Sequence, residues 1–189
     1  MTIFSYFLIS YFLGTLMAGY FVVKFLGKKD IRVEGSGNVG ARNAGRIHGR
    51  VSFVLTFLGD ALKGAVVILI GEYFKLSPEF ILGGLGFAII GHVKPITLKF
   101  KGGMGISTFI GGMLAFEPLT ALVIIFGFLI LYPFLKSFTF AGLGSFVLIP
   151  ISFYYFDIQP LVLLITGLLV MIIIFIHRED ILDRLDKRR

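Results

Sequence analysis

The sequence predicts an all-α polytopic membrane protein. It should have about seven transmembrane helices, two of them short, with the N-terminus outside and the C-terminus cytoplasmic. Three observations carry this. First, 57% of the 189 residues are hydrophobic and only 15% are charged, against about 25% charged in an ordinary soluble domain. Second, apolar stretches recur along the whole chain, at a mean hydropathy of +0.94. Third, Lys and Arg gather in alternate connections, the asymmetry of a membrane protein with a cytoplasmic face. A chain this long with so little polar surface cannot coat a soluble core. Its 22 Phe exclude disorder, because they would collapse. No internal repeat or low-complexity segment divides the chain, so residues 1–189 read as a single membrane-embedded domain.

Taken in order, the apolar stretches begin with Ile3 to Val23, which lacks a basic leader and is long enough to span rather than to be cleaved. A basic stretch follows from Lys24 to Arg50. The second apolar stretch runs from Val51 to Phe74, interrupted by Asp60 and Lys63. The third, Phe80 to Gly91, and the fourth, about Ile106 to Phe116, fall short of the roughly 17–25 residues of a full span. They read as short helices flanking a functional cleft, since polar backbone at membrane depth survives only inside protein or beside a watery cavity. Leu119 to Leu135, Phe140 to Phe156 and Leu161 to Ile176 complete the set, and the charged segment Asp180 to Arg189 reads as a helix on the inner leaflet. With the N-terminus outside, 16 of the 18 Lys and Arg fall inside, while Glu72, Glu79, Glu117 and Asp157 fall outside. The net charge of +7 therefore reflects topology and does not point to nucleic acid.

Two polar segments carry the chemistry. Glu34 to Arg46 contains G-x-G-x-x-G, but no strand precedes it and Asp60, 20 residues past Gly40, lies in a span, so a dinucleotide fold is excluded. Such a loop still suits an anion. Glycines admit close backbone approach, and arginine offers a planar fork to phosphate oxygens. Ser36, Asn38 and Asn43 add neutral hydrogen-bonding groups. The second segment runs from Gly91-His92 through Lys94, Lys99 and Lys101 to Gly102-Gly103 and reads as another anion-binding turn at a helix start. It is not a Walker A loop, because G-K-[ST] is missing.

Asp60 and Lys63, spaced i, i+3 inside a span, read as a structural ion pair beside the cleft. The absence of cysteine excludes disulfides and thiolate chemistry. The three histidines, His48, His92 and His177, lack the H-x-x-x-x-D spacing of a His–Asp acyltransferase dyad. No E-x-x-H pair exists either, so no metal and no cofactor is expected. A hydrogen bond at a helix end is the commoner role of a lone histidine such as His92 or His177.

These motifs, in this order, resemble the bacterial acyl-phosphate:glycerol-3-phosphate acyltransferase family (PlsY). The resemblance rests on Gly14, the G-S-G-N-x-G-A-x-N loop, Asp60-Ala61-Leu62-Lys63-Gly64, Gly91-His92-x-x-Pro95, Phe100-Lys101-Gly102-Gly103-x-Gly105 and His177-Arg178-Glu179. It implies a seven-span enzyme of the bacterial cytoplasmic membrane with its active site facing the cytoplasm. The reaction implied is fatty acyl transfer from acyl phosphate to the 1-hydroxyl of glycerol 3-phosphate, giving lysophosphatidic acid. It also implies contact with membrane lipids, and it makes the enzyme that supplies acyl phosphate a candidate partner. By resemblance, Ser36, Arg46, His92, His177 and Thr139 would be catalytic. Gly35, Ser36, Gly37, Asn38, Arg46, Lys101, Gly102 and Gly103 would hold substrate phosphate.

The sequence departs from the family pattern at several positions: Arg42 stands in the family's A-T-N, Lys94 stands where an aromatic precedes Pro95, the serine-rich turn before the sixth span is reduced to Ser137-Phe138-Thr139, and two further changes alter charge. Met104 stands where K-G-G-K-G has its second lysine, and Asp180 stands where H-R-E-N has its asparagine. Arg42, Lys94 and Lys99 are candidates for returning the lost positive charge. Two other readings stay open. One is a catalytically impaired family member that binds lipid or phosphate as a regulator. The other is an anion transporter, against which the nearly uncharged outer face argues.

Overall fold

The computed structural model describes residues 1–186. It is helical throughout and falls into two compact units, Met1–Phe116 and Glu117–Arg189. Lys187 to Arg189, the end of the expected surface helix, lie outside the described residues.

The first unit contains α1 (Ile3–Gly14), α2 (Ala18–Gly27), α3 (Ala41–Tyr73), α4 (Pro78–Val93) and α5 (Ile106–Phe116), with a 3-10 turn at Ile96–Leu98. The second contains α6 (Thr120–Leu135), α7 (Phe138–Tyr155), α8 (Pro160–Ile176) and α9 (Arg178–Asp186). Four helical stretches among the described residues are long and apolar enough to cross a membrane: Ile3–Gly27, Ala41–Tyr73, Pro78–Leu98 and Phe138–Tyr155. The apolar helices Ile106–Phe116, Thr120–Leu135 and Pro160–Ile176 are shorter. Large apolar side chains lie open on the surface, Phe4, Phe25 and Phe134 among them. A soluble protein does not tolerate that surface, whereas in a bilayer it meets lipid.

Three expectations need correction. The third apolar stretch, expected to fall short of a span, lies in the helical stretch Pro78–Leu98, which is long enough to cross; the shorter apolar helices are those of the fourth, fifth and seventh stretches. The apolar stretch at the N-terminus is not one helix, because it breaks at Thr15 to Met17 between α1 and α2. The glycine-rich segment does not remain a loop to Arg46, because helix begins again at Ala41. Arginine is a good helix former, and Gly40 provides the extended residue before the first turn. The irregular backbone falls instead at His48 and Gly49, where α3 kinks; Gly49 has φ +77°, a conformation open chiefly to glycine.

The core of the first unit is packed through small residues. A Cβ on Gly64 or Gly111 would strike the backbone carbonyl of Thr108 or Ala61, so α3 and α5 approach to backbone contact, as small residues permit between membrane helices. Buried Tyr6 of α1 donates its hydroxyl to Val67 O (3.0 Å) and Ile81 O (3.2 Å), tying α1 to α3 and α4. Met17, Val23, Ile31, Val39, Ala44 and Leu98 form a separate apolar cluster. That cluster underlies the loop between α2 and α3 and fixes its position against α3.

Candidate functional site: an arginine-lined cleft beside an asparagine-built loop

The loop from Ile31 to Gly40 is folded around one side chain. Asn43, 2% exposed in the first turn of α3, accepts from Ser36 N through Oδ1 (2.9 Å). Its Nδ2 donates to Glu34 O (2.9 Å), Asn38 O (3.0 Å) and Ile31 O (3.3 Å). Asn38 Oδ1 accepts from Gly40 N, and Gly37 N donates to Glu34 O. The backbone N–H groups of Ser36, Gly37 and Gly40 are thus engaged inside the loop, and an anion here would meet side chains. Gly35 and Gly37 have φ of +59° and +72°, turn conformations that disfavour any side chain. A Cβ on Gly35 would also strike Asn43 Oδ1.

The turn lifts Ser36 into solvent, and α3 continues with Arg42, Arg46 and Arg50 at successive i, i+4 positions, all exposed. With Gly45, Gly49 and Phe53 they line an open cleft of about 410 Å³. The cleft thus brings three arginines together across the kink, and guanidinium groups suit phosphate oxygens. The sequence reading marked Arg46 and Arg42 but passed over Arg50 and Phe53, although the four-residue spacing of the arginines was there to be read. Asp30 and Arg32, earlier in the loop, pair at 2.7 Å. Hydrogen bonding from Arg32 holds the Asp30 carboxyl below the usual carboxylate range.

The second segment is stitched to the first. Val39 N donates to Gly102 O (3.3 Å), and Gly103 N donates to His92 O (3.0 Å). The turn packs closely, since a Cβ on Gly102 would strike His92 O and one on Gly103 would strike His92 Nε2. His92 is buried at the end of α4, its Nδ1 3.3 Å from Thr108 Oγ1 and 3.7 Å from Asp60 Oδ1. Lys94, Lys99 and Lys101 are exposed, and Met104 is half-buried.

Asp60 and Lys63 are buried and 3.0 Å apart. Lys63 Nζ also donates to Gly14 O (2.9 Å) and Leu16 O (2.7 Å), and Asp60 Oδ1 accepts from Ala18 N (3.3 Å). Ser36, Asn38, Arg42, Arg46, Asp60, Lys63, His92, Lys94, Lys99, Lys101, Gly102 and Gly103 thus all belong to the first unit. The sequence reading gave Asn43 only as a hydrogen-bonding group of the loop and gave Thr108 no role.

In the second unit, His177 caps α8 and is 2% exposed. Its Nδ1 lies 2.8 Å from Ile173 O. A carbonyl only accepts, so Nδ1 carries a hydrogen. Thr139 lies half-buried in the first turn of α7, behind the N-cap Ser137. Asp180 is exposed in the first turn of α9, where a carboxylate favours the helix.

The apolar helices and the arginine cleft together define an integral membrane protein with a basic cleft. Comparison with known proteins gives the family. Residues 4–187 match the family model described as glycerol-3-phosphate acyltransferase. A Bacillus cereus glycerol-3-phosphate acyltransferase 1 is 42% identical over 176 residues, covering 93% of this chain and 97% of that protein. A Lactobacillus acidophilus glycerol-3-phosphate acyltransferase 2 is 38% identical over 187 residues, covering 98% and 87%. The crystal structure of the integral membrane acyltransferase PlsY (YgiH) in its glycerol 3-phosphate form superimposes with a TM-score of 0.88 at 29% identity, covering 99% of this chain and 94% of that one. Its lysophosphatidic acid form gives 0.88 at 28% identity, with 99% and 93% covered. The chain belongs to the glycerol-3-phosphate acyltransferase family.

Proposed function

We propose that the protein transfers a fatty acyl group from acyl phosphate to the 1-hydroxyl of glycerol 3-phosphate, giving lysophosphatidic acid and phosphate. One observation carries the site assignment: Arg42, Arg46 and Arg50 share an open cleft beside a loop that Asn43 holds rigid. Both substrates carry phosphate, and a cleft lined with guanidinium groups suits them. Names of relatives in bacteria and the glycerol 3-phosphate form of a structural neighbour support the acceptor.

Acyl phosphate arrives activated, so the enzyme needs no nucleophile of its own. The acceptor oxygen forms the new ester bond, the bond from the acyl carbon to the phosphate oxygen breaks, and the hydroxyl proton leaves with phosphate. The protein supplies orientation and fixed charge around the developing oxyanion. Arg46 and the Ser36 hydroxyl hold one phosphate, with Asn38, Gly35 and Gly37 shaping the loop around it. Lys101 and the Gly102-Gly103 turn hold the second anion. Arg42, Lys94 and Lys99 offset the charge missing at Met104. His92, His177 and Thr139 position substrate groups.

The reading extends to the membrane. Seven apolar segments and the sidedness of Lys and Arg support seven spans, an external N-terminus and a cytoplasmic C-terminus and active site. The protein would then sit in the bacterial cytoplasmic membrane and receive donor from the enzyme that makes acyl phosphate. A family match across residues 4–187 supports treating both units as parts of one domain.

The test is donor choice. Purified protein given labelled glycerol 3-phosphate should form lysophosphatidic acid with palmitoyl phosphate and not with palmitoyl-CoA. Product from the CoA ester alone would overturn the donor assignment.

A further inference from the structure

From the surroundings of His92 we infer that Thr108 is a positioning residue. It locks His92 as the neutral tautomer that carries its proton on Nε2, so that the ring offers a hydrogen-bond donor to the Gly102-Gly103 turn. This rests on the proposed role of that turn as an anion site.

Thr108 lies in the first turn of α5 and is fully buried. The hydroxyl of Thr108 carries one hydrogen, and a buried hydroxyl hydrogen without an acceptor is costly. Among the described residues its single hydrogen-bond neighbour is His92 Nδ1, at 3.3 Å. Were Nδ1 protonated, it would donate to Oγ1, and the hydroxyl hydrogen would have no acceptor. The nearby carboxylate does not change this. Asp60 Oδ1 is 3.7 Å from Nδ1, beyond hydrogen-bond reach. It already accepts from Lys63 and Ala18, and among the described residues Asp60 Oδ2 has no hydrogen-bond partner. With Thr108 donating to Nδ1 the buried hydroxyl hydrogen is satisfied, and the ring proton stands on Nε2, the nitrogen beside Gly103, where a bound anion can accept it.

The ring is aimed by the backbone. Gly103 N donates to His92 O, and Nε2 points at the side of Gly103 where a Cβ would stand. A neutral Nε2–H placed there acts as an electrophilic donor to an anionic oxygen and not as a base. His177, in the second unit, carries a hydrogen on Nδ1, bonded to Ile173 O. Thr108 matters only through its hydroxyl, whose orientation sets the nitrogen His92 turns to the site.

The test reads the tautomer directly. Full-length protein with 15N-labelled histidine, reconstituted in lipid, gives signals from three rings, and His92→Gln identifies the one lost. His92 should show Nδ1 unprotonated and Nε2 protonated, and Thr108→Val should mix the tautomers. Thr108→Val should also lower kcat for acyl transfer roughly tenfold, the worth of one hydrogen bond. Thr108→Ser should restore both spectrum and rate. A wild-type His92 protonated on Nδ1, or a Thr108→Val protein with the wild-type His92 spectrum, would overturn the inference. Because the spectrum needs no substrate, a correct tautomer in a protein that transfers no acyl group would uphold the inference and reject the proposed function.

Discussion

Lys63 and Asp60, one helical turn apart on α3, grip the two sides of a broken span. Lys63 Nζ donates to Gly14 O and Leu16 O where α1 ends, while Asp60 Oδ1 accepts from Ala18 N where α2 begins. Each charge meets the helix end whose dipole it complements, a cation at the C-terminal carbonyls and an anion at the N-terminal amide. The pair also compensates itself at 3.0 Å. The break is thereby stabilised inside protein, where its open backbone groups find no water.

Removing one partner should cost far more than removing both. Asp60→Asn or Lys63→Met leaves an uncompensated buried charge, a loss of about 3–5 kcal/mol. The double variant Asp60→Asn/Lys63→Met should recover part of that, as thermal unfolding in detergent will show. A double variant as unstable as the sum of the singles would mean that the two charges act independently.

Asn43→Asp should loosen the loop. The change keeps Oδ1 as acceptor for Ser36 N but removes the donors to Glu34 O, Asn38 O and Ile31 O. Amide exchange at Ser36 and Gly37 should quicken, and stability should fall by about 2–4 kcal/mol for two lost Nδ2 hydrogens. Unchanged exchange in this segment would refute the assignment of Asn43 as the loop's organiser.

Much of this was legible in the sequence. The seven apolar stretches reappear as apolar helical stretches, because composition alone sets what lipid solvates. The break at Thr15 was not legible, because nothing local makes it. No proline interrupts Ile3 to Val23, and the groups that stabilise the ends lie at Asp60 and Lys63. The glycines and asparagines of the loop announced a turn but hid the helix starting at Ala41, since Asn43 and Gly45 are poor helix residues whose packing overrides propensity. The pairing of His92 with Thr108 spans a turn and a new helix, beyond any spacing rule.

The Asp30–Arg32 pair should give the loop a small dependence on pH. Arg32 lowers the Asp30 carboxyl below its unfolded value, so its contribution is present above the ordinary carboxylate pKa and fades as pH falls through the lowered value. Arg32→Gln should therefore destabilise slightly at neutral pH and not at all in strong acid, with added salt shrinking the difference. Denaturation of both proteins across acid pH checks this. A penalty that persists below the carboxylate range would assign Arg32 a different role.

Met104 tests the charge compensation. Arg42 lies on the cleft, and Lys94 and Lys99 are exposed after α4. If they replace the missing cation, Met104→Lys should leave KM for either phosphate substrate within about threefold, a change under 1 kcal/mol. Arg42→Gln should raise KM roughly tenfold through the loss of a charge-assisted contact. A large gain in affinity for Met104→Lys would show that the charge was never restored.

The central claim is acyl transfer to glycerol 3-phosphate, and its most direct measurement is phosphate release from palmitoyl phosphate with and without that acceptor. The account predicts release that depends on glycerol 3-phosphate, matched mole for mole by lysophosphatidic acid, and abolished in Arg46→Ala. Release indifferent to the acceptor, or none at saturating substrate, would contradict it.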